Sequence, residues 1–105
     1  MSDGNKRKLC VAIALIGSPE VLLLDEPSSA IDPLARRHLW NILRSANSSG
    51  QRSILLVTHY LQEAESLCDR IGIVTEGRIH SLASPKELKA RLSQGYRVHI
   101  RCSCE

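Results

Sequence analysis

The sequence predicts an α/β fold, in which helices flank a parallel sheet and a hairpin and a helix follow toward the C-terminus. Two apolar runs of strand length, residues 21–24 and 53–58, are separated by a segment with helical spacing. Strand, helix and strand joined by such connections form a right-handed crossover whose two strands lie parallel, commonly as neighbours. With 105 residues and 43% hydrophobic content, the chain makes one small domain at most.

The first apolar run ends in two acids. Residues 21–24 show no polar alternation, which predicts a strand covered on both faces. Asp25 and Glu26 follow at the strand's carboxyl end, where ligands bind in open parallel sheets, and Pro27 stops the pairing. Alternation along the strand points the two acids to different sides, so one can hold a hydrated divalent cation while the other faces a reacting water. The alternative for this dipeptide alone is a solvated turn.

The N-terminal segment predicts a helix capped by Ser2 or Asp3, with an almost wholly apolar body buried against the sheet. Residues 17–19, Gly-Ser-Pro, end it. Basic residues before the apolar run 9–17 also fit a cleaved signal peptide, but Asp3 lies in the would-be basic region, which argues against one. The run is too short to span a bilayer.

The second strand brings a histidine to the same edge as the acids. Asp32 and Pro33 are a strong helix start, and the helix is expected to continue to about Asn47. The strand after it ends at His59, so an imidazole and two carboxylates can converge at one edge of the sheet. A histidine after a strand is otherwise more often an ordinary surface residue.

The rest of the chain is interpreted as supporting structure. A helix is expected over 60–70, then a hairpin over 71–82, a capping box over 84–87 that opens a helix closing near Gly95, and a strand over 96–101. The helix over 60–70 is predicted to have one inner face and one outer face. The inner face consists of Leu61, Ala64, Leu67 and Cys68, and the outer face consists of Gln62, Glu63, Glu65 and Asp69.

Composition excludes some classes of function. The net charge of +3 and only three aromatic residues argue against nucleic acid as a partner. The four cysteines are interpreted as reduced thiols, since a single Cys-x-Cys pair, Cys102 and Cys104, is weak evidence for a metal. The remaining histidines have no acidic or cysteine neighbours at ligand spacing and are interpreted as solvated; they are His38, His80 and His99.

Four motifs carry a resemblance. They are residues 2–8 (Ser-Asp-Gly-Asn-Lys-Arg-Lys), 21–27 (Val-Leu-Leu-Leu-Asp-Glu-Pro), 28–33 (Ser-Ser-Ala-Ile-Asp-Pro) and 57–59 (Val-Thr-His). In this order they resemble the signature motif, Walker B strand, D-loop and switch histidine of the C-terminal half of an ATP-binding cassette (ABC) domain, a partial P-loop NTPase fold. Residues 5–8 and 95–100 are most similar to subfamily A, the large transporters associated with lipid export. The resemblance implies that 1–94 are this half-domain and that 95–105 begin a following regulatory segment, which is incomplete.

The resemblance implies roles for single residues. Asp25 would hold Mg²⁺ through water, Glu26 would polarise the attacking water and His59 would contact the γ-phosphate of ATP. Two residues would cross the interface with a second, head-to-tail nucleotide-binding domain, namely Ser29 and Asp32. Three would offer donors to the γ-phosphate held by that domain, namely Ser2, Gly4 and Asn5. In a complete transporter the domain would also bind a transmembrane domain at the cytoplasmic face of a membrane, whereas this stretch expressed alone would be cytoplasmic.

Two departures from the family pattern limit these expectations. No glycine is followed by lysine, so the phosphate-binding Walker A loop is absent from this sequence. The chain is therefore expected to be a truncated domain that does not hydrolyse ATP alone. Asp3 stands where the family has the first signature glycine. The alternatives are a non-catalytic interaction module and a non-transport ATPase of the same superfamily.

Overall fold

A computed structural model describes residues 2–92, which fall in two compact units. The first extends to Cys68 and the second begins at Asp69. Predictions for residues 93–105, including the strand over 96–101, the helix end near Gly95 and the segment 95–105, lie outside the described residues.

The first unit contains the predicted strand–helix–strand arrangement. Its elements are α1 (Asp3–Leu15), β1 (Val21–Asp25), α2 (Pro33–Ala46), β2 (Ser53–Val57) and α3 (Leu61–Leu67). β1 and β2 are parallel neighbours in unbroken register, from Val21 opposite Ser53 to Asp25 opposite Val57. The parallel pairing confirms the α/β class predicted from the two apolar runs.

The core of this unit lies on one side of the two-stranded sheet. Its buried side chains come from α1, β1, the loop after β1 and α2; they are Val11, Leu22, Leu24, Ile31, Leu39 and Leu43. Ile54 and Leu56 of β2 are partly buried and pack against them. The opposite side, the open sheet face, consists of Val21, Leu23, Leu55 and Val57, and Leu23 and Leu55 are 69% and 63% exposed. The prediction that β1 is covered on both faces is therefore wrong for the described residues, because no described element packs over this side.

α1 departs from its prediction in the same way. Ser2 caps it as expected, accepting a hydrogen bond from the backbone N–H of Asn5 at 3.2 Å. Within the helix only Val11 is fully buried, whereas Leu9 and Ile13 are exposed. The almost wholly apolar body was predicted to be buried against the sheet, but a single sheet covers only one side of a helix, so the buried part is a narrow stripe.

α2 begins and ends as predicted. The carboxylate of Asp32 accepts a hydrogen bond from the backbone N–H of Ala35 at 3.0 Å, and Pro33 occupies the first turn. This hydrogen bond lowers the pKa of Asp32, and the positive charge of Lys8 contributes in the same direction. Asn47 forms the C-terminal cap. The cap therefore remains an ionised acceptor at neutral pH.

α3 is shorter than predicted, and one of its acids lies inside. Glu63 was placed on the outer side of this helix, but its exposure is 0%, so that prediction is wrong. Its Oε2 accepts a hydrogen bond from the indole Nε1–H of Trp40 on α2 at 2.8 Å. Arg44 of α2 also donates twice to the carbonyl of Ser66, at 2.9 and 3.1 Å. These polar contacts rotate α3 so that Leu61 is half exposed and Glu63 faces α2.

The second unit is the predicted hairpin and helix. β3 (Ile71–Thr75) and β4 (Arg78–Ala83) are antiparallel, and the turn residues Glu76 and Gly77 both have positive φ, as a tight hairpin turn requires. The register shifts by one residue between Ile73 and Val74.

A capping box opens α4 (Pro85–Leu92) as predicted. Ser84 Oγ accepts from the N–H of Glu87 at 3.3 Å, and Glu87 Oε2 accepts from the N–H of Ser84 at 2.9 Å. The latter bond lowers the pKa of Glu87.

Across residues 2–92, none of the helices combines the length and the apolar character needed to cross a membrane. Within the same residues, Cys10 and Cys68 form no disulfide.

The buried Glu63 generates a prediction about stability. Glu63→Ala removes the acceptor of the Trp40 indole and leaves a cavity, so the free energy of unfolding should fall by about 1 to 3 kcal/mol. Urea unfolding followed by the fluorescence of Trp40, the single tryptophan, measures this. Gln62→Ala, at an exposed position of the same helix, is the control, and equal stability of the two variants would contradict the role of Glu63.

The open sheet face generates a second prediction. Leu23→Thr together with Leu55→Thr keeps two residues that favour strands but removes both exposed leucines of the open sheet face. Binding of a hydrophobic fluorescent dye should fall several-fold while the far-UV circular dichroism is retained. Leu34→Thr, a change at an isolated exposed leucine of α2, should leave dye binding nearly unchanged. Dye binding that persists in the double variant would locate the apolar surface elsewhere.

Candidate functional site

The candidate site lies at the edge where β1 and β2 both end. Asp25 pairs with Val57, and the N–H of Glu26 donates to the carbonyl of Val57 at 2.7 Å. Two loops therefore leave the sheet side by side, the first loop being residues 26–32 and the second loop residues 58–60. This is the carboxyl edge at which the sequence predicted that the acids and the histidine would meet.

Glu26 opens the first loop in an unusual backbone conformation. Its φ of 49° lies in the left-handed region, directly before Pro27. A turn in which the N–H of Ser29 donates to the Glu26 carbonyl at 3.1 Å follows. The strand has already ended at Asp25, so this turn, rather than strand alternation, directs the Glu26 side chain. Asp25 is exposed, while the Glu26 side chain is 29% exposed.

His59 contacts Glu26 directly. Its Nδ1 lies 2.8 Å from Glu26 Oε1, and the His59 side chain is 65% exposed. Because an ionised carboxylate only accepts hydrogen bonds, Nδ1 carries the hydrogen in this contact. The Nε2 atom is then free to face a ligand. The second oxygen of the carboxylate, Oε2, is buried and has no hydrogen-bond partner among the described residues.

The second loop is ordered by short-range contacts. The hydroxyl of Thr58 accepts a hydrogen bond from the N–H of Tyr60 at 3.0 Å. The Tyr60 ring lies against His59, with ring centroids 4.1 Å apart and planes tilted by 35°. The guanidinium carbon of Arg36 lies 4.4 Å from the centroid of the Tyr60 ring. Sequence reasoning did not select Tyr60 or Arg36, although the position of Tyr60 next to His59 was an available signal.

The first loop packs against the start of α1. A Cβ atom added to Gly4 would lie 3.0 Å from the Ala30 carbonyl oxygen, so only glycine fits without a shift of the backbone. Ser28 is completely buried and its hydroxyl has no described hydrogen-bond partner. Ser29 is half-buried and Asp32 is exposed at the cap of α2. The structure thus brings Gly4 to the loop that contains Ser29 and Asp32.

The other two residues selected at the N-terminus lie at the start of α1, Ser2 as its N-cap and Asn5 in its first turn. Ser2 and Asn5 are both exposed, and the Ser2 hydroxyl is already the acceptor of the Asn5 N–H. Among the described residues, no hydrogen bond joins either of them to Glu26 or His59. The eight positions of the predicted site therefore divide into one contacting pair, Glu26 and His59, and six residues placed around it.

The site is an open edge rather than a cavity. Grooves of about 300 and 500 Å³ run along α2, and their linings do not include Asp25, Glu26 or His59. Within residues 2–92, no group of three or more histidine, cysteine, aspartate or glutamate side chains is placed to hold a metal ion. What the edge offers chemically is one exposed carboxylate, one carboxylate with an unpartnered oxygen and one imidazole with a free nitrogen.

Comparison with known proteins identifies the family. The family model described as "AAA domain, putative AbiEii toxin, Type IV TA system" matches residues 1–62, which include the whole of the first loop and the second loop. These residues contain every position of the candidate site.

Curated relatives cover nearly the whole chain. "ABC transporter A family member 4" of Arabidopsis thaliana is 48% identical over 104 residues, which are 99% of this chain and 11% of that protein. "ABC transporter A family member 5" of the same plant is 50% identical over 95 residues, 90% of this chain and 10% of that protein. "Cholesterol transporter ABCA5" of Rattus norvegicus is 43% identical over 98 residues, 93% of this chain and 6% of that protein.

The chain thus spans 6% to 11% of the length of these relatives. The family match, the identity of 43% to 50% and the fold agree. The chain belongs to the AAA-type ATPase domains that this family model describes, and it is a nucleotide-binding domain of the ABC transporter kind, most like subfamily A.

Proposed function

We propose that this chain supplies the hydrolytic edge of an ABC ATPase, which in the complete protein hydrolyses ATP to drive transport of a lipid across a membrane. The observation that carries the proposal is the contact of His59 Nδ1 with Glu26 Oε1 at 2.8 Å, beside Asp25 and at the carboxyl ends of two parallel strands. Positioned acids and a histidine at one edge are what phosphoryl transfer to water needs.

Glu26 acts on the attacking water. The Glu26 side chain is 29% exposed, and its carboxylate accepts a hydrogen bond from the water while Oε1 remains bound to His59. The water oxygen forms a bond to the γ-phosphorus, the bond from that phosphorus to the β–γ bridging oxygen breaks, and the bridging oxygen leaves with the electron pair on ADP. The proton of the water passes toward Glu26 and from there to phosphate or solvent, so the products are ADP and inorganic phosphate.

His59 holds the γ-phosphate. The Glu26 carboxylate fixes the ring orientation through Nδ1, which leaves Nε2 directed away from Glu26 and toward a ligand. A protonated ring would donate from both nitrogens and bind the carboxylate and the phosphate together. Loss of the γ-phosphate after hydrolysis would remove one of these two acceptors, so His59 is suited to sense the state of the nucleotide.

Asp25 fits a hydrated Mg²⁺ ion. In phosphoryl-transfer sites Mg²⁺ keeps several waters and binds one or two carboxylates together with the substrate phosphates. A single exposed carboxylate at the strand end, without a surrounding ligand cluster in the described residues, suits this mode. Bound there, the ion would neutralise charge that develops on the phosphate oxygens.

The residues around the same edge also support a proposal for the domains that bind this one in the complete protein. Ser29 and Asp32 on the first loop would face a second nucleotide-binding domain arranged head to tail. Ser2, Gly4 and Asn5 at the start of α1 would donate to the γ-phosphate bound by that domain, a position favoured by the helix N-terminus. A transmembrane domain would complete the transporter, with this domain at the cytoplasmic face. The lipid substrate is supported by the similarity to subfamily A members, one of which is named a cholesterol transporter.

The first test is Glu26→Gln in a chimaeric cassette. Residues 2–92 replace the matching segment of the nucleotide-binding domain of the Arabidopsis member 4, which supplies the phosphate-binding loop. Glutamine keeps the size of the side chain but loses the negative charge that polarises water, so ATP hydrolysis should fall about 100-fold or more while ATP binding is retained. Phosphate release and nucleotide binding are both measured.

Glu20→Gln is the matched control, because Glu20 is an exposed glutamate before β1 and outside the proposed site. Its rate should equal that of the unmodified chimaera. Hydrolysis that is undiminished in Glu26→Gln would exclude Glu26 as the group that polarises water.

The second test concerns Asp3, an exposed acid in the first turn of α1. Its negative charge would repel the γ-phosphate of the second domain's nucleotide, so Asp3→Gly in the chimaera should raise turnover and ATP-dependent dimerisation about tenfold. Asp3→Asn removes the charge without adding the flexibility of glycine. If turnover and dimerisation rise in both variants, the effect is due to charge. If they rise only in Asp3→Gly, it is due to close approach of the backbone. No change in either would show that the acid does not impair this end of α1.

A further inference from the structure

Arg36, on the first turns of α2, spans the two loops of the site. Its Nη2 donates a hydrogen bond to the carbonyl of Ile31 in the first loop at 3.3 Å. The carbon of the same guanidinium lies 4.4 Å from the centroid of the Tyr60 ring in the second loop. One half-buried side chain therefore contacts both loops, although neither contact is to a predicted catalytic residue.

The contacts continue from Tyr60 and close on themselves. The Tyr60 ring lies against the His59 ring at a centroid distance of 4.1 Å, and His59 Nδ1 lies 2.8 Å from Glu26. Glu26 and Ile31 belong to the same first loop. A closed ring of contacts thus runs from Ile31 through Arg36, Tyr60 and His59 to Glu26.

An arginine is suited to this place. Its guanidinium is planar, so one edge can donate to a carbonyl while its face stacks on an aromatic ring. The Nε atom of Arg36 is buried and has no hydrogen-bond partner among the described residues. Burying an unpaired donor is unfavourable, so the contacts to Ile31 and Tyr60 are what keep the side chain in this position.

We infer that Arg36 is a positioning residue: by stacking on Tyr60 and binding the Ile31 carbonyl, it holds His59 in the orientation that contacts Glu26. The consequence of this inference rests on the proposed function. Arg36 would link the first loop, which is expected to face the second domain, to His59, which is expected to contact the phosphate. The arrangement itself is a property of the chain alone. Its effect on His59 can therefore be measured without ATP.

The first measurement uses the 105-residue chain with labelled histidine. Imidazole nitrogen shifts, recorded at a pH where the ring is neutral, report which nitrogen carries the hydrogen, and His59→Gln assigns the His59 signals among the four histidines. In the unmodified chain His59 should be mainly the Nδ1–H form, with a cross-peak between its ring and that of Tyr60. Arg36→Ala should lose the cross-peak and shift the population toward the Nε2–H form.

Arg37→Ala is the matched control, because Arg37 is the next residue on α2 and is exposed. It should leave the His59 signals unchanged. If circular dichroism shows that Arg36→Ala does not fold, the His59 signals of Arg36→Lys are measured instead. Lysine keeps the charge but cannot stack and donate in the same plane. Unchanged His59 signals in every folded Arg36 variant would overturn the inference.

The second measurement uses the chimaeric cassette. Arg36→Ala should lower kcat about tenfold with little change in KM for ATP, since Arg36 acts through His59 rather than on the nucleotide. Tyr60→Phe keeps the ring and should retain activity, whereas Tyr60→Leu should lower kcat as Arg36→Ala does. The double variant, Arg36→Ala with Tyr60→Leu, should have a kcat no lower than that of either single variant. Additive losses would overturn the inference. An inactive unmodified chimaera would instead count against the proposed function, and the histidine spectra would still decide the role of Arg36.

Discussion

The parallel pairing of β1 and β2 is the constraint on which the candidate site depends. Once Asp25 lies opposite Val57, the next residues of both strands must leave at the same edge, and the N–H of Glu26 still bonds to the Val57 carbonyl at 2.7 Å. His59 follows two residues after Val57, so its contact with Glu26 needs no further long-range element. A single strand–helix–strand unit with short connections is therefore sufficient to assemble an acid and an imidazole that are separated by 33 residues in the sequence.

The first loop also concentrates unfavourable features. Glu26 has a positive φ before a proline, the hydroxyl of Ser28 is buried without a described partner, and Oε2 of Glu26 is likewise unpartnered. A strained backbone and buried polar groups without hydrogen bonds each oppose folding. In natural proteins such features cluster at sites where a ligand or a partner supplies the missing contacts. In this chain they cluster in the segment that ends β1. The same loop favours glycine at position 4 of the neighbouring helix, because a Cβ atom there would lie 3.0 Å from the Ala30 carbonyl oxygen.

Local rules were sufficient to predict much of this architecture. The caps at Ser2 and Asp32, the capping box of Ser84 and Glu87 and the Glu76–Gly77 turn depend on residues within one turn of each other, so they are visible in the sequence. The meeting of Glu26 and His59 followed from strand direction alone. The burial of a surface depends instead on what packs over it. Periodicity therefore missed the exposed side of β1, the narrow buried stripe of α1 and the inward rotation of Glu63, whose acceptor role depends on Trp40 of another helix.

The contact between His59 and Glu26 limits how the pair can meet a nucleotide. While Glu26 is ionised, Nδ1 must carry a hydrogen, so a neutral ring presents a lone pair at Nε2 and would repel a phosphate oxygen. The ring can bind a phosphate in this orientation only as the imidazolium, which donates from both nitrogens. Otherwise it must turn, and turning breaks the bond to Glu26 and disturbs the stacking on Tyr60. Any γ-phosphate that approaches this edge therefore acts on the protonation or the orientation of His59, and through Tyr60 and Arg36 on the first loop.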